Sequence, residues 1–143
     1  VRDINLELRQ AYYSLLNGHV NVTYTGKAPI PVPVYYLQVP KNYLDFYIVI
    51  QSINSVGRES KNDTDVEISI QFAIYTRIEL NSGWECDQIA NQIYQICYQN
   101  REQKILGFLS TELVSDNTLG DLDAAGVKQI VERYITFSHI KTI

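Results

Sequence analysis

The chain has 143 residues, 45% of them hydrophobic and 20% charged, with a formal net charge of −4. One domain of that length buries roughly 68–70% of the surface its unfolded chain exposes, so a full core needs no disulfide or metal staple. The composition excludes disorder. The scattered cations exclude tight binding along a nucleic-acid backbone, since the densest basic stretch, Arg101 to Lys104, encloses Glu102.

No apolar run approaches the ~20 residues that a membrane span needs. Near the amino end, Arg2, Asp3, Glu7 and Arg9 interrupt any signal-peptide core, so synthesis in the cytoplasm is expected. Eleven tyrosines stand against four phenylalanines and one tryptophan. Tyrosine couples a large ring to a polar tip and suits half-buried strands and contact surfaces alike.

The first helix is predicted over Asp3 to Leu16, where Ile4, Leu8, Ala11, Tyr12, Leu15 and Leu16 recur at three- and four-residue spacing. Asp3 is placed to cap it, and Asn17-Gly18 ends it with residues that tolerate positive φ. A short strand follows over Val20 to Tyr24. From Thr25 to Pro40 four prolines (Pro29, Pro31, Pro33, Pro40) exclude a helix and a central strand. Val34 to Val39 can still pair at a sheet edge, and the stretch from Pro29 to Pro40 reads as a wrapping arm or long loop.

Phe46 to Ser55 and Asp65 to Ile78 are predicted strands. In the second, Val66, Ile68, Ile70, Phe72, Ile74 and Ile78 alternate with more polar residues, and Thr76 alone breaks the apolar side. A period of two sustained this long implies a sheet with one buried and one wetter face. The polar stretch from Val56 to Thr64 then joins them as a projecting hairpin loop. Ser82-Gly83-Trp84-Glu85 has the Ser-x-x-Glu spacing of a capping box and opens a second helix. Its buried stripe is Cys86, Ile89, Ala90, Ile93, Ile96 and Cys97, while Asp87, Gln88, Asn91, Gln92, Gln95 and Gln99 face away. Thr111 to Ser115 and Lys128 to Ile140 close the chain as two strands around a polar loop, Asp116 to Gly126. The last strand is apolar on both sides, with Val127, Val131, Ile135 and Phe137 against Ile130 and Tyr134, so it lies centrally or at a subunit contact. The fold class is therefore α+β in one domain: a mainly antiparallel sheet with a long hairpin and two helices packed on one face.

Candidate chemistry is sparse. Cys86 and Cys97 sit on one helix about 16 Å apart along its axis, beyond disulfide reach, and read as buried thiols. His19 falls just past a helix end and His139 in a strand, neither with a partner at zinc-ligand spacing. Asp116, Asp121 and Asp123 form an acidic cluster whose spacing departs from a calcium-binding loop, and a solvated loop is the simpler account. Asn21-Val22-Thr23 and Asn62-Asp63-Thr64 satisfy the glycosylation rule but carry no weight without a secretion signal. No phosphate-cradling glycine motif, nucleophile elbow or HExxH is present. No enzyme activity, metal or cofactor is expected.

The opening helix LELRQAYYSLLNG (Leu6 to Gly18), the strand DVEISIQFAIYTR after an acidic-polar loop, Gly83-Trp84 leading a helix, and two closing strands together resemble the tail terminator (tail-completion) proteins of tailed bacteriophages. The likeness runs from about Asn5 to Phe137 as a pattern of elements. It implies a single tail-terminator-like domain whose copies close into a ring, six more often than twelve, at the head-proximal end of the tail. Such a ring ends tail-tube assembly and joins the tail to the head connector, and DNA passes through it without specific binding. The partners implied are the chain itself, the tail-tube protein and the connector or portal-complex proteins, and the location is the virion. The strand beginning Asp45-Phe46-Tyr47 lacks the proline of relatives, and the arm before it looks like an elaboration. That departure leaves open an adaptor or neck ring of a short-tailed phage. Fold alone also leaves open a small ligand-binding or enzymatic domain. Contacts between subunits or with tube and connector are expected at Pro29, Pro31, Pro33 and Tyr35 of the arm, and at Arg58, Glu59, Lys61, Asp63 and Asp65 of the hairpin loop (residues 56–65).

Overall fold

The computed structural model describes residues 4–23, 28–40, 45–59, 64–79, 84–101, 110–122 and 128–142. Helix α1 (Ile4–Leu16) lays Leu8, Ala11, Tyr12 and Leu16 into the core, as its apolar spacing requires. It ends where predicted, with Gly18 at φ 81°. The capping residue Asp3 lies outside the described residues.

Strand β1 (Asn21–Val22) is shorter than its prediction and pairs antiparallel with β2 (Ile30–Pro31). The arm therefore folds back on its own molecule, and Val32 and Val34 are buried in the core. Strand β3 (Val34–Tyr36) pairs parallel with β4 (Phe46–Glu59) across Ile48 to Ile50, at the sheet edge that its prolines allow.

β4 and β5 (Thr64–Glu79) form the long antiparallel hairpin. Both strands run further than alternation indicated: Val56 to Glu59 pair with Glu67 to Thr64 instead of looping out. Residues 56–59, 64 and 65 of the predicted projecting loop are therefore strand, and residues 60–63 lie outside the described residues. A bulge between Ile50 and Ser52 reverses the parity of β4, so Ile53 turns toward the core after Ile50. Parity is kept in β5, where Ile68, Ile70, Phe72, Ile74 and Thr76 are all buried. Thr76 Oγ1 satisfies itself on the Val131 carbonyl at 3.2 Å.

Helix α2 (Trp84–Arg101) buries Cys86, Ile89, Ala90, Ile93 and Cys97. Ser82, the proposed cap, lies outside the described residues. Strand β6 (Ser110–Leu122) replaces most of the predicted loop from Asp116 to Gly126, and β7 (Lys128–Thr142) lies between it and β5. The five-stranded order is β3-β4-β5-β7-β6. The interior place of β7 explains why both its sides are apolar: Val131, Ile135 and Phe137 are buried, and Ile130 and Tyr134 are half-covered. The polar composition of β6 hid it because an edge strand with one wet side needs little apolar alternation.

Both helices cover one face. Tyr12 of α1 and Tyr94 of α2 set their rings against Phe72 and Phe137, on the side of Ile70 and Ile74. On the opposite face Tyr47 stacks on Tyr75 at 4.7 Å and meets Tyr35 edge-on at 5.9 Å, so part of the tyrosine excess belongs to cross-strand pairing.

Gln88 and Gln92 do not simply face away. Gln92 accepts from the Asn21 N–H at 2.8 Å and donates to the Asn21 carbonyl at 2.6 Å. Gln88 does the same for Thr23 at 3.1 and 3.3 Å. Two amides one helical turn apart stand in for a strand, satisfying the free edge of β1 and fastening α2 to it. Replacing Gln92 with Leu should cost about 1–3 kcal/mol, because two strand groups lose their partner. The same change at exposed Gln95 should stay within ~0.5 kcal/mol. Urea unfolding of both variants separates a latch from a solvated face.

Candidate functional site

The predicted contact residues fall into two places. Pro29 and Pro31 are exposed beside β1, while Pro33 and Tyr35 are half-buried, the Pro33 carbonyl accepting from the Ile48 N–H at 2.9 Å. Arg58, Glu59 and Asp65 belong to the far end of the β4–β5 hairpin. Lys61 and Asp63 lie outside the described residues. At a rise of about 3.3 Å per residue, the hairpin end is roughly 30 Å from the β3 pairing site, so arm and hairpin are separate surfaces.

Three of the groups that sequence reading weighed for chemistry, His139, Cys86 and Cys97, are buried. His139, fully buried on β7, shares a 2.7 Å hydrogen bond with the hydroxyl of buried Tyr12, whose ring also packs edge-on to Phe72 at 5.0 Å. Burial, and then the neighbouring Cys97 thiol, pushes the Tyr12 phenol well above its ordinary range. Burial likewise lifts Cys97 and Cys86 to about 12. The phenol and the two thiols stay protonated and, with His139, lie out of contact with solvent, so all four act as core members. His19 is exposed just past α1.

Asp116 has left the acidic cluster for a different role. Arg133 Nε and Nη2 donate to its two oxygens at 2.9 and 2.7 Å, and the Tyr94 hydroxyl donates at 2.5 Å. The remaining guanidinium nitrogen reaches Asp87 of α2 at 2.9 Å. This fork joins β6, β7 and α2. The Arg133 hydrogen bonds hold the Asp116 carboxyl below the usual carboxylate range, while burial lifts Tyr94 to about 12. Arg133 and Asp116 are each 20% exposed, whereas Asp87 is 69% exposed and adds little. Among the described residues, no group of three His, Cys, Asp or Glu side chains is placed to hold a metal ion. Glu85 is buried at the start of α2, where burial raises its pKa, and Oε2 has no partner among the described residues.

The surface carries features that the sequence reading missed. A groove of about 530 Å³ between α1 and β3 is lined by Arg9, Gln10, Tyr13, Ser14, Tyr36 and Ile50. The Arg9 guanidinium lies 4.3 Å over the Tyr36 ring. Next to Tyr36, Leu37 adopts φ 62°, and the Gln38 N–H donates to the Tyr36 carbonyl at 2.7 Å, which closes a γ-turn. At the other end of the sheet, Leu113, Val114 and Leu119 of β6 are exposed. Two signals pointed to them. Adjacent Leu113-Val114 cannot both face one core, and Leu119 is an isolated large apolar residue among polar ones.

No protein-family model and no curated protein sequence matches the chain. In fold it is similar to a chain from the virion of a native gene transfer agent particle, with a TM-score of 0.52 and 9% sequence identity, over 94% of this chain and 90% of that one.

Proposed function

We propose that the chain is a structural virion protein that closes into a ring at the head-proximal end of a phage tail, ending tube assembly and joining the tail to the head connector. The likeness in fold to a virion chain over nearly the full length of both supports this reading. The order of elements, which resembles tail terminators, supports it independently. In this role the surface serves docking to copies of the chain, to the tail-tube protein and to the connector. Six copies form the ring, and a chain of net charge −4 suits a channel in which DNA slides instead of being gripped. The hairpin end around Arg58, Glu59, Lys61, Asp63 and Asp65, and the arm at Pro29, Pro31, Pro33 and Tyr35, are the proposed contacts to tube or connector.

Light scattering after size exclusion, with negative-stain images of the same peak, tests the proposal. Closed rings of one size are expected as concentration rises, six copies matching a tail terminator and twelve pointing to an adaptor ring. Strict monomers at about millimolar concentration would overturn self-assembly. Changing Arg58, Glu59 and Lys61 together to Ala should leave the ring intact and weaken its attachment to tail tubes.

A further inference from the structure

We infer that the β6 edge of one copy seats against the α1–β3 groove of the next copy, a head-to-tail contact between unlike surfaces. The inference deepens the ring reading and rests on it, by naming the surfaces that meet.

The first surface is an open edge. β6 is the last of five strands, pairs with β7 from Ser110 to Leu122, and has no partner on its outer side among the described residues. Its 13 residues include no Pro and no Lys, and its guards are a bulge between Leu113 and Ser115 and the exposed Glu112. Beside them it exposes Leu113 (42%), Val114 (60%) and Leu119 (59%). A long open edge that exposes three large apolar side chains invites strand-mediated association unless something covers it.

The second surface lies at the opposite end of the same sheet. Here Tyr13 and Tyr36 are exposed in the groove, Leu6 is exposed in an adjoining pocket that shares Arg9 and Tyr36, and Leu37 is exposed next to Tyr36 in the chain. Leu37 is the one described non-glycine residue with positive φ, so strained backbone holds an apolar side chain in solvent. Strain of that kind persists where a position serves function. β3 pairs with β4 only across Ile48 to Ile50.

Charge decides between a second copy joined head to tail and a two-fold pairing of β6 with β6. β6 has no cation in its sequence, Asp116 is already taken by Arg133, and Glu112 is exposed, so a two-fold seam offers Glu112 no opposite charge from the facing strand. Head to tail, exposed Glu112 next to Leu113 meets the surface that carries Arg9. Four strand spacings of about 4.8 Å separate the two surfaces within one copy, so neither can satisfy the other in the same molecule. Each copy then needs two different neighbours, and such a contact closes into a ring when its rotation allows.

Charge reversal and engineered cysteines test the contact in the full chain, the fold of each variant being checked by circular dichroism. Glu112→Arg and Arg9→Glu should each weaken ring formation about tenfold, and the two reversals combined should recover most of it. Leu119→Cys and Leu37→Cys should form a disulfide-linked dimer when the two variants are mixed. Each variant alone should stay uncrosslinked, because Cys86 and Cys97 are buried. Rings that form normally with either reversal, or a dimer from Leu119→Cys alone, would overturn this interface while leaving the ring reading standing. An absence of rings from the unaltered chain would remove both.

Discussion

Replacing Phe72 with Ala should destabilise the fold by about 3–5 kcal/mol, the largest loss expected from any single truncation here. Phe72 is fully buried on β5, the middle of the five strands, and its ring stands edge-on to Tyr12 at 5.0 Å and to Phe137 at 6.4 Å. Truncation removes the transfer free energy of the ring and two edge-to-face contacts, and it leaves a cavity beneath α1 that a twisted sheet cannot close. A protein of ordinary stability, about 5–15 kcal/mol, would keep little margin. The urea midpoint should fall with an unchanged slope, and thermal unfolding should begin roughly 10 °C earlier. Tyr75→Ala, on the face away from the helices, should cost about half as much, because that side chain is only half-buried. Equal losses at the two positions would refute the placement of both helices on one face.

Arg133→Ala should cost about 2–3 kcal/mol, more than an exposed ion pair and less than a fully buried one. The variant loses the two-pronged bond to Asp116 and leaves that carboxylate with Tyr94 alone among the partners described above. A double-mutant cycle with Asp116→Asn isolates the pair, with a coupling of about 1–2 kcal/mol expected. The pH dependence has a definite sign. The folded-state pKa of Asp116 is lowered by Arg133, so its contribution is fully present above the unfolded value of about 3.9 and is lost as pH falls from there through the lowered folded value. Acid unfolding below about pH 4 should therefore be shallower in Arg133→Ala and in Asp116→Asn than in the unaltered chain. A pH profile that both variants leave unchanged would sink the assignment.

These two sites differ in how readable they were. Phe72 was legible because alternation over Val66 to Ile78 has one physical reading, a strand with one side buried. The Arg133 fork was not. Asp116, Asp87, Tyr94 and Arg133 come from three elements, and nothing local says that a strand and a helix will bring them within 3 Å. Asp116 was read as part of a solvated loop because its neighbours are polar, whereas strand pairing with β7 carries it under α2. Gln88 and Gln92 were misjudged for a similar reason: helical periodicity shows which side is polar, but not that an unpaired strand edge lies against it.

The candidate site follows the same division. The prolines of the arm showed that it avoids a central strand and can pair at an edge, but not that Val32 and Val34 would be buried in the core of the same molecule. The apolar residues of β6 and the groove between α1 and β3 emerge only once the sheet order is known. The two surfaces stand at opposite ends of β3-β4-β5-β7-β6, an order in which β7 enters between β5 and β6.

Local pattern by itself determined both helices, the long hairpin, the last strand and the α+β class, because period and turn chemistry act over a few residues. Tertiary structure alone decided the sheet order, the strand nature of residues 116–122, the amide latch on β1 and the surfaces left open at the two edges. Those depend on contacts between residues far apart in the chain, whose free energies outweigh local preference and leave no periodic mark in the sequence.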